Sequence, residues 1–224
     1  AVVSRLRGEP VLVPQPIHCA QVGQFLGRMH RSGQAFDQQQ RHGRGLAWWT
    51  QTVPEVLPYV GAGAQALLLS ELNYQRTVAA SAAGMALPRG HIHADLFRDN
   101  AMFGQPADGS KLCGVLDFYF AGIDVLLFDV AVCINDWCVD DDSGRIDPPR
   151  AQALIQAYRA EREWAHGEWR LLPALLRAAA LRFWLSRLRD WHLPREASLL
   201  TPKDPVHFER VLKERIDNPW LPDA

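Results

Sequence analysis

Helical periodicity runs through most of this sequence and breaks off at Pro88. From there to Phe120 the apolar residues fall in short β-rich runs, "HIHADL", "NAMF" and "KLCGVLDFYF", separated by the turn sequence "GQPADGS". Helical patterns on both sides of one such segment predict an α+β chain that is mainly helical, with a short sheet inside a helical lobe. The same segment crowds His91, His93, Asp95, Arg98, Asp99 and Asn100 among Ile92, Ala94, Leu96 and Phe97. Burying a carboxylate without a partner is costly. A loop that keeps two Asp and an Asn in such company is expected to hold something of opposite charge.

Around that segment the expected elements follow from period and punctuation. "AVVSRLRGEPVLVP" reads as two short strands about a turn at Arg7-Gly8-Glu9. A helix is expected after Pro16, with Val22, Leu26 and Met29 on its inner face and its end near Gly33. Residues 34–46 read as a long exposed loop, and "AWWTQTVPEVLPYVG" as short helical turns broken by Pro54 and Pro58. Gly63 to Gly84 predicts a helix burying Ala66, Leu68, Leu69, Leu72 and Val78. Further helices are expected over "DVLLFDVAVCINDWC" from Asp124, then over 148–165, 168–192 and 205–216. Trp184 and Trp191, seven apart, should share a buried helix face. "VDDDSGRIDPP" reads as an acidic surface loop without the D-x-D-x-D-G order of a calcium loop.

Composition narrows the partners. A net charge of -1 gives no electrostatic reason to expect nucleic acid or a membrane surface. No apolar run approaches the ~18 residues of a membrane span, and no signal peptide is recognisable. Cys19, Cys113, Cys133 and Cys138 follow no zinc spacing and read as reduced core residues of a cytoplasmic protein.

The chemistry rests on Asp95, Asn100 and Asp117, which together offer oxygen ligands to a hard cation such as magnesium. Two facing carboxylates about 4 Å apart repel by roughly 4 kcal/mol at an effective dielectric near 20, so the trio makes more sense with a cation. Asn100 and Asp117 would take the metal and leave Asp95 free to accept a proton. The order His93-x-Asp95-x-x-x-x-Asn100, then a strand ending in Leu116-Asp117-Phe118, resembles the catalytic half of the protein-kinase-like superfamily. The loop lacks the His-Arg-Asp form and the Lys two places on that protein kinases prefer, and looks like the aminoglycoside-phosphotransferase and choline-kinase branch. Within it, "HADLFRDN", "LDFYFAGIDVLLFDVAVCINDWC" and "GQFLGRMH" closely resemble bacterial homoserine kinases of the aminoglycoside-phosphotransferase type. The similarity runs along the chain and is densest over residues 91–138.

That resemblance implies the C-terminal lobe of a protein-kinase-like fold, ATP and Mg2+ as cofactors, and L-homoserine as the small-molecule substrate. It makes Asp95 the catalytic base and Asn100 and Asp117 the magnesium ligands, and it implies that Asp129 braces the catalytic loop. His93 reads as a residue that shapes the loop, or else takes part in acid–base chemistry. Arg98 either stabilises the transferred phosphoryl group or pairs with a neighbouring acid. Asp124 and Asp136 are candidates for a substrate ammonium, Tyr119 and Trp137 for the pocket wall; a helix cap or a core aromatic is the alternative for each. Residues 1–14 would be the end of the nucleotide-binding lobe and its hinge, with the backbone of Ser4, Arg5 and Leu6 facing adenine, and 15–224 the helical lobe.

Kinases of this superfamily also hold the α- and β-phosphates with a strand-borne Lys ahead of the hinge. The lysines here are Lys111, Lys203 and Lys213, all after Asp95. With a start at Ala1 rather than Met, the expectation is a fragment lacking most of the ATP-binding lobe. Choline, aminoglycoside and sugar kinases remain open alternatives, as does a non-catalytic remnant of the substrate lobe.

Overall fold

The segment Leu126–Trp137 is apolar on nearly every face, and such a helix is stable only when other elements surround it. All twelve of its residues are buried. The structure, a computed structural model, describes residues 5–104, 111–165, 167–193 and 202–222. In chain order the elements are β1 (Glu9–Pro10), α1 (Pro16–Gly33), α2 (Leu46–Val56), α3 (Ala62–Ala80), α4 (Ala82–Met85), β2 (Arg89–Ile92), β3 (Ala101–Phe103), β4 (Leu112–Val115), β5 (Gly122–Val125), α5 (Leu126–Trp137), α6 (Pro148–Glu161), α7 (Glu168–His192) and α8 (Val206–Asp217). One antiparallel sheet has the order β1-β3-β4; β2 and β5 form a separate antiparallel pair with Arg89 opposite Val125 and Ile92 opposite Gly122.

Helices α1, α6, α7 and β2 all pack on α5, and α8 closes over α7. Buried polar groups fix this assembly where apolar contact alone would let it slide. Arg215 on α8 donates to Asn135 Oδ1 on α5 at 2.9 Å, and Asn135 donates to the Leu176 carbonyl on α7 at 2.7 Å. Glu71 on α3 meets Arg177 on α7 while Gln75 donates to the Ala174 carbonyl. Each of these groups would be expensive to bury alone.

The sequence reading holds for α1 and α7 and fails in instructive places. Pro54 does not break α2, which runs through it; only three of the helix's residues follow it or include it, so little ladder is lost. In α3 the buried face is Leu68, Glu71, Leu72 and Gln75, whereas Leu69 is 51% exposed and Ala66 is also exposed. Polar partners on α7 rotate the helix away from its apolar stripe. Asp124 lies on strand β5 rather than in a helix. Trp184 is fully buried but Trp191 is half exposed, near the C-terminal end of α7. Cys113 is exposed, unlike the other three cysteines. Around the Arg7-Gly8-Glu9 turn the described residues carry the strand after it, paired with β3, and none before it.

Gly23 and Gly27 lie one turn apart on the face of α1 toward α6. A Cβ at Gly23 would run into the Leu154 carbonyl oxygen, and one at Gly27 would come within 2.7 Å of the Glu161 Cβ. Gly23→Ala should therefore lower stability by about 2 kcal/mol, overpacking outweighing the helix-propensity gain of about 1 kcal/mol. Urea denaturation against wild type measures it, and a neutral or stabilising result would contradict this backbone contact.

Candidate active site

Strand β2 delivers the chain to Ile92, and the next residues turn sharply. Ala94 has φ 65°, a left-handed conformation that costs a non-glycine residue roughly 1–2 kcal/mol. Asp129 on α5 holds it there: its two carboxylate oxygens accept the backbone N–H groups of His93 and Ala94, each at 2.7 Å. Asp129 also meets the His30 ring from α1 at 3.1 Å, and His30 in turn meets the Tyr158 hydroxyl on α6 at 2.8 Å. Burial opposes the charged form of Asp129, but His30, by hydrogen bond and charge, together with His93 holds the carboxyl below its usual range.

The loop beyond is built on its own backbone. The buried His93 ring bonds the Leu116 carbonyl through Nε2 at 2.9 Å and accepts the Asp95 N–H on Nδ1 at 3.3 Å. The tautomer with hydrogen on Nε2 satisfies both contacts. Asn100 donates through Nδ2 to the Asp95 carbonyl at 2.8 Å, and its own carbonyl accepts the Leu116 N–H at 2.8 Å. Asp117 follows Leu116, so the ladder places Asp95, Asn100 and Asp117 side by side. Asp117 adopts φ 60° and accepts the Tyr119 N–H at 3.3 Å. Ala94 and Asp117 are the non-glycine residues with positive φ among those described. Strained backbone of this kind clusters where function over-determines geometry.

The charges agree with that geometry. Burial raises the Asp95 carboxyl to about 6; Arg182 and His93 pull against it, while Asp117 and Asp99 push it further up. The Asp95 side chain is 17% exposed, with Arg182 Nη1 3.6 Å from one of its oxygens. Arg182 is the residue that sequence reading missed. Its signal was a lone cation inside the apolar run "AAALRFWL". Asn100 spends its amide nitrogen on the loop, leaving its oxygen free of that bond, and the Asp117 carboxylate is exposed. Among the described residues no three His, Cys, Asp or Glu side chains form a metal-binding group. One Asn and one Asp are the small oxygen set that magnesium accepts when phosphates and waters fill its remaining positions.

The other candidates lie elsewhere. Arg98 is engaged with acids: Nε is 3.3 Å from Asp136, both Nη atoms grip Asp141 at 3.0 and 3.1 Å, and Nη1 also donates to the Leu12 carbonyl. Asp136 additionally accepts the Arg98 N–H at 2.7 Å and is buried, so its carboxylate is already occupied. Trp137 is fully buried and donates to the Leu96 carbonyl at 3.0 Å; it is a core aromatic and walls no pocket. Asp124 pairs with His42 and Arg89 at the edge of a separate cavity of about 840 Å³ lined also by Trp49, Phe128 and Leu175. Tyr119 is 81% exposed next to Asp117. Arg5 is exposed and Leu6 packs over Gly114 on β4, while Ser4 lies outside the described residues. Lys203 pairs with Asp99 at 3.0 Å on the surface.

Solved structures define the class. The amicoumacin kinase hAmiN superposes with a TM-score of 0.67 at 15% identity, over 96% of this chain and 64% of that one. A choline/ethanolamine kinase family protein from Mesorhizobium loti gives 0.67 at 17% identity, over 96% and 70%. The fold is thus that of the aminoglycoside and choline kinases. Residues 1–172 match the phosphotransferase enzyme family, and the chain belongs to it. It is 54% identical over 221 residues to a homoserine kinase of Polaromonas naphthalenivorans (strain CJ2), spanning 99% of this chain and 69% of that protein. A second homoserine kinase, from Paraburkholderia xenovorans (strain LB400), is 51% identical over 99% of this chain and 68% of its own length. The chain thus spans about two thirds of the relatives it matches.

Asp129→Asn leaves one of the two loop N–H groups without its acceptor and His30 without its anion. A loss of about 3 kcal/mol is expected at neutral pH by urea denaturation. The sign with pH follows from the lowered carboxyl. Its contribution is present above the ordinary value of 3.8 and fades as pH falls through the lower folded-state value. The gap between variant and wild type should therefore be full at pH 6 and shrink only below about pH 4. An equal gap at every pH would show that the charge of Asp129 contributes nothing.

Proposed function

We propose that the protein transfers the γ-phosphoryl group of ATP to the hydroxyl of L-homoserine, giving O-phospho-L-homoserine, a step toward threonine. The observation that carries this reading is the Asp95 carboxylate, raised to about 6 and set beside Asn100 and Asp117, in a chain about half identical to homoserine kinases. Asp95 accepts the hydroxyl proton as the phosphoryl group moves; a base of about that strength remains ionised at neutral pH and is stronger than an ordinary carboxylate. Asn100 Oδ1 and Asp117 would hold Mg2+, which would offset the negative charge of the phosphates. The segment 1–14 is assigned as the end of the nucleotide-binding lobe, with backbone at Arg5 and Leu6 toward adenine; support comes from Leu6 packing on β4, the strand that leads to Asp117. His93 serves as a shaping residue, its ring spent on two backbone groups.

Assay of the full-length protein with ATP, Mg2+ and a panel of homoserine, choline, methylthioribose and aminoglycosides tests the substrate. Homoserine should be turned over above the rest, and the assignment fails if it is not. For the base, Asp95→Asn should lower kcat by roughly 10²–10⁴. Its circular dichroism and melting temperature should stay close to wild type, because Asp95 makes its loop contacts through backbone atoms. Near-normal kcat would remove Asp95 from the role.

A further inference from the structure

The least expected group near the catalytic loop is Arg182. It sits on α7 with 3% of its side chain exposed. Nε and Nη2 are buried, and neither has a hydrogen-bond partner among the described residues. Among the described residues the acid paired with it is Asp95, at 3.6 Å, beyond hydrogen-bond distance, and Asp190 adds a smaller electrostatic attraction. Phe183 and Phe120 cover the guanidinium, with ring centroids 3.8 and 4.9 Å from its central carbon. Burial lowers its basicity to about 10, and Arg44, which also lies over the Phe120 ring, adds to that. A buried guanidinium with idle donors is among the costlier arrangements a fold can keep, and the cost is offset only when an anion arrives.

We propose that Arg182 is the specificity residue for the substrate's carboxylate, received when the hydroxyl of an α-amino acid docks on Asp95. This inference rests on the homoserine reading above. In homoserine four bonds separate the hydroxyl oxygen from the carboxylate carbon, roughly 5 Å when extended. A hydroxyl bonded to Asp95 therefore carries the carboxylate into the neighbourhood of a guanidinium that itself lies 3.6 Å from Asp95. Planar, two-pronged donors match a carboxylate, and the idle Nε and Nη2 edge is one such prong pair. Phe120, in the short turn directly after Asp117, is the side chain that must shift to admit it. The same cation could instead serve the transferred phosphoryl group, and the experiment separates the two.

The test compares L-homoserine with 3-aminopropan-1-ol, which keeps hydroxyl and ammonium and lacks the carboxylate. In the full-length wild type the ratio of kcat/KM should favour homoserine by at least about 100-fold, because buried donors left unpaired penalise the analogue. In Arg182→Met that ratio should collapse by a similar factor, chiefly through KM for homoserine; Arg182→Lys should recover part of it. A wild type that uses both alcohols equally overturns the inference without any variant. So does an Arg182→Met that loses both substrates in proportion, which would assign Arg182 to Asp95 or to the phosphoryl group. A wild type that phosphorylates the amino alcohol but not homoserine sinks the homoserine reading and this inference together. One that phosphorylates homoserine yet shows no dependence on Arg182 sinks the inference alone.

Discussion

The catalytic loop keeps its shape because one buried carboxylate accepts two consecutive backbone N–H groups. His93 and Ala94 could not present both to a single acceptor in ordinary extended backbone; the left-handed φ of Ala94 is what turns them the same way. Asp129 can do this only from the most enclosed helix of the fold, where His30 and Tyr158 complete its partners and water cannot compete. The enclosure of α5, the tight α1–α6 contact that brings Tyr158 to His30, and the position of Asp95 are thus parts of one constraint. Loosening any of them frees the loop.

Charge around Asp95 is out of balance. Asp95 is raised by burial and by two neighbouring carboxylates, while Arg182 is lowered by burial and by a neighbouring cation. The two lie near each other without a hydrogen bond. The surrounding fold tolerates this because Asn135–Arg215 ties α5 to α8 and Glu168–Arg162 ties the start of α7 to the end of α6. In the proposed function a metal ion would relieve the carboxylates, and an anion the guanidinium.

What could be read from the sequence was whatever is local in the chain. The order of Asp95, Asn100 and Asp117 is fixed by a short loop and one strand, and their proximity follows from spacing. The boundaries of α7 came from Glu168 to His192 as expected, because a long periodic segment leaves little choice. Arg182 escaped because its meaning depends on a residue 87 positions earlier in the sequence, Asp95, which only the folded chain brings close. The burial of Glu71 and Gln75 in place of Leu69 has the same cause: Arg177 and the Ala174 carbonyl are distant in sequence and decide which face of α3 turns inward.

The acidic residues from the end of β4 onward show why chemistry-bearing side chains are poor evidence when taken singly. Asp124, Asp136 and Asp117 lie within twenty residues of one another in the sequence. Asp124 is held by His42 and Arg89, and Asp136 by both the backbone and the guanidinium of Arg98. Asp117 is exposed, in strained backbone, and its recorded hydrogen bond is to a backbone N–H two residues on. Of the three, it alone has a carboxylate that the fold does not already use to hold two elements together. The Arg98 clamp makes the point from the cation side. By joining Leu12, Asp136 and Asp141 it ties the segment entering α1 to the catalytic loop and the acidic turn, and a guanidinium so employed is not available to a phosphoryl group. The charges that folding leaves over are Asp95, Asp117 and Arg182, and the proposed function rests on them.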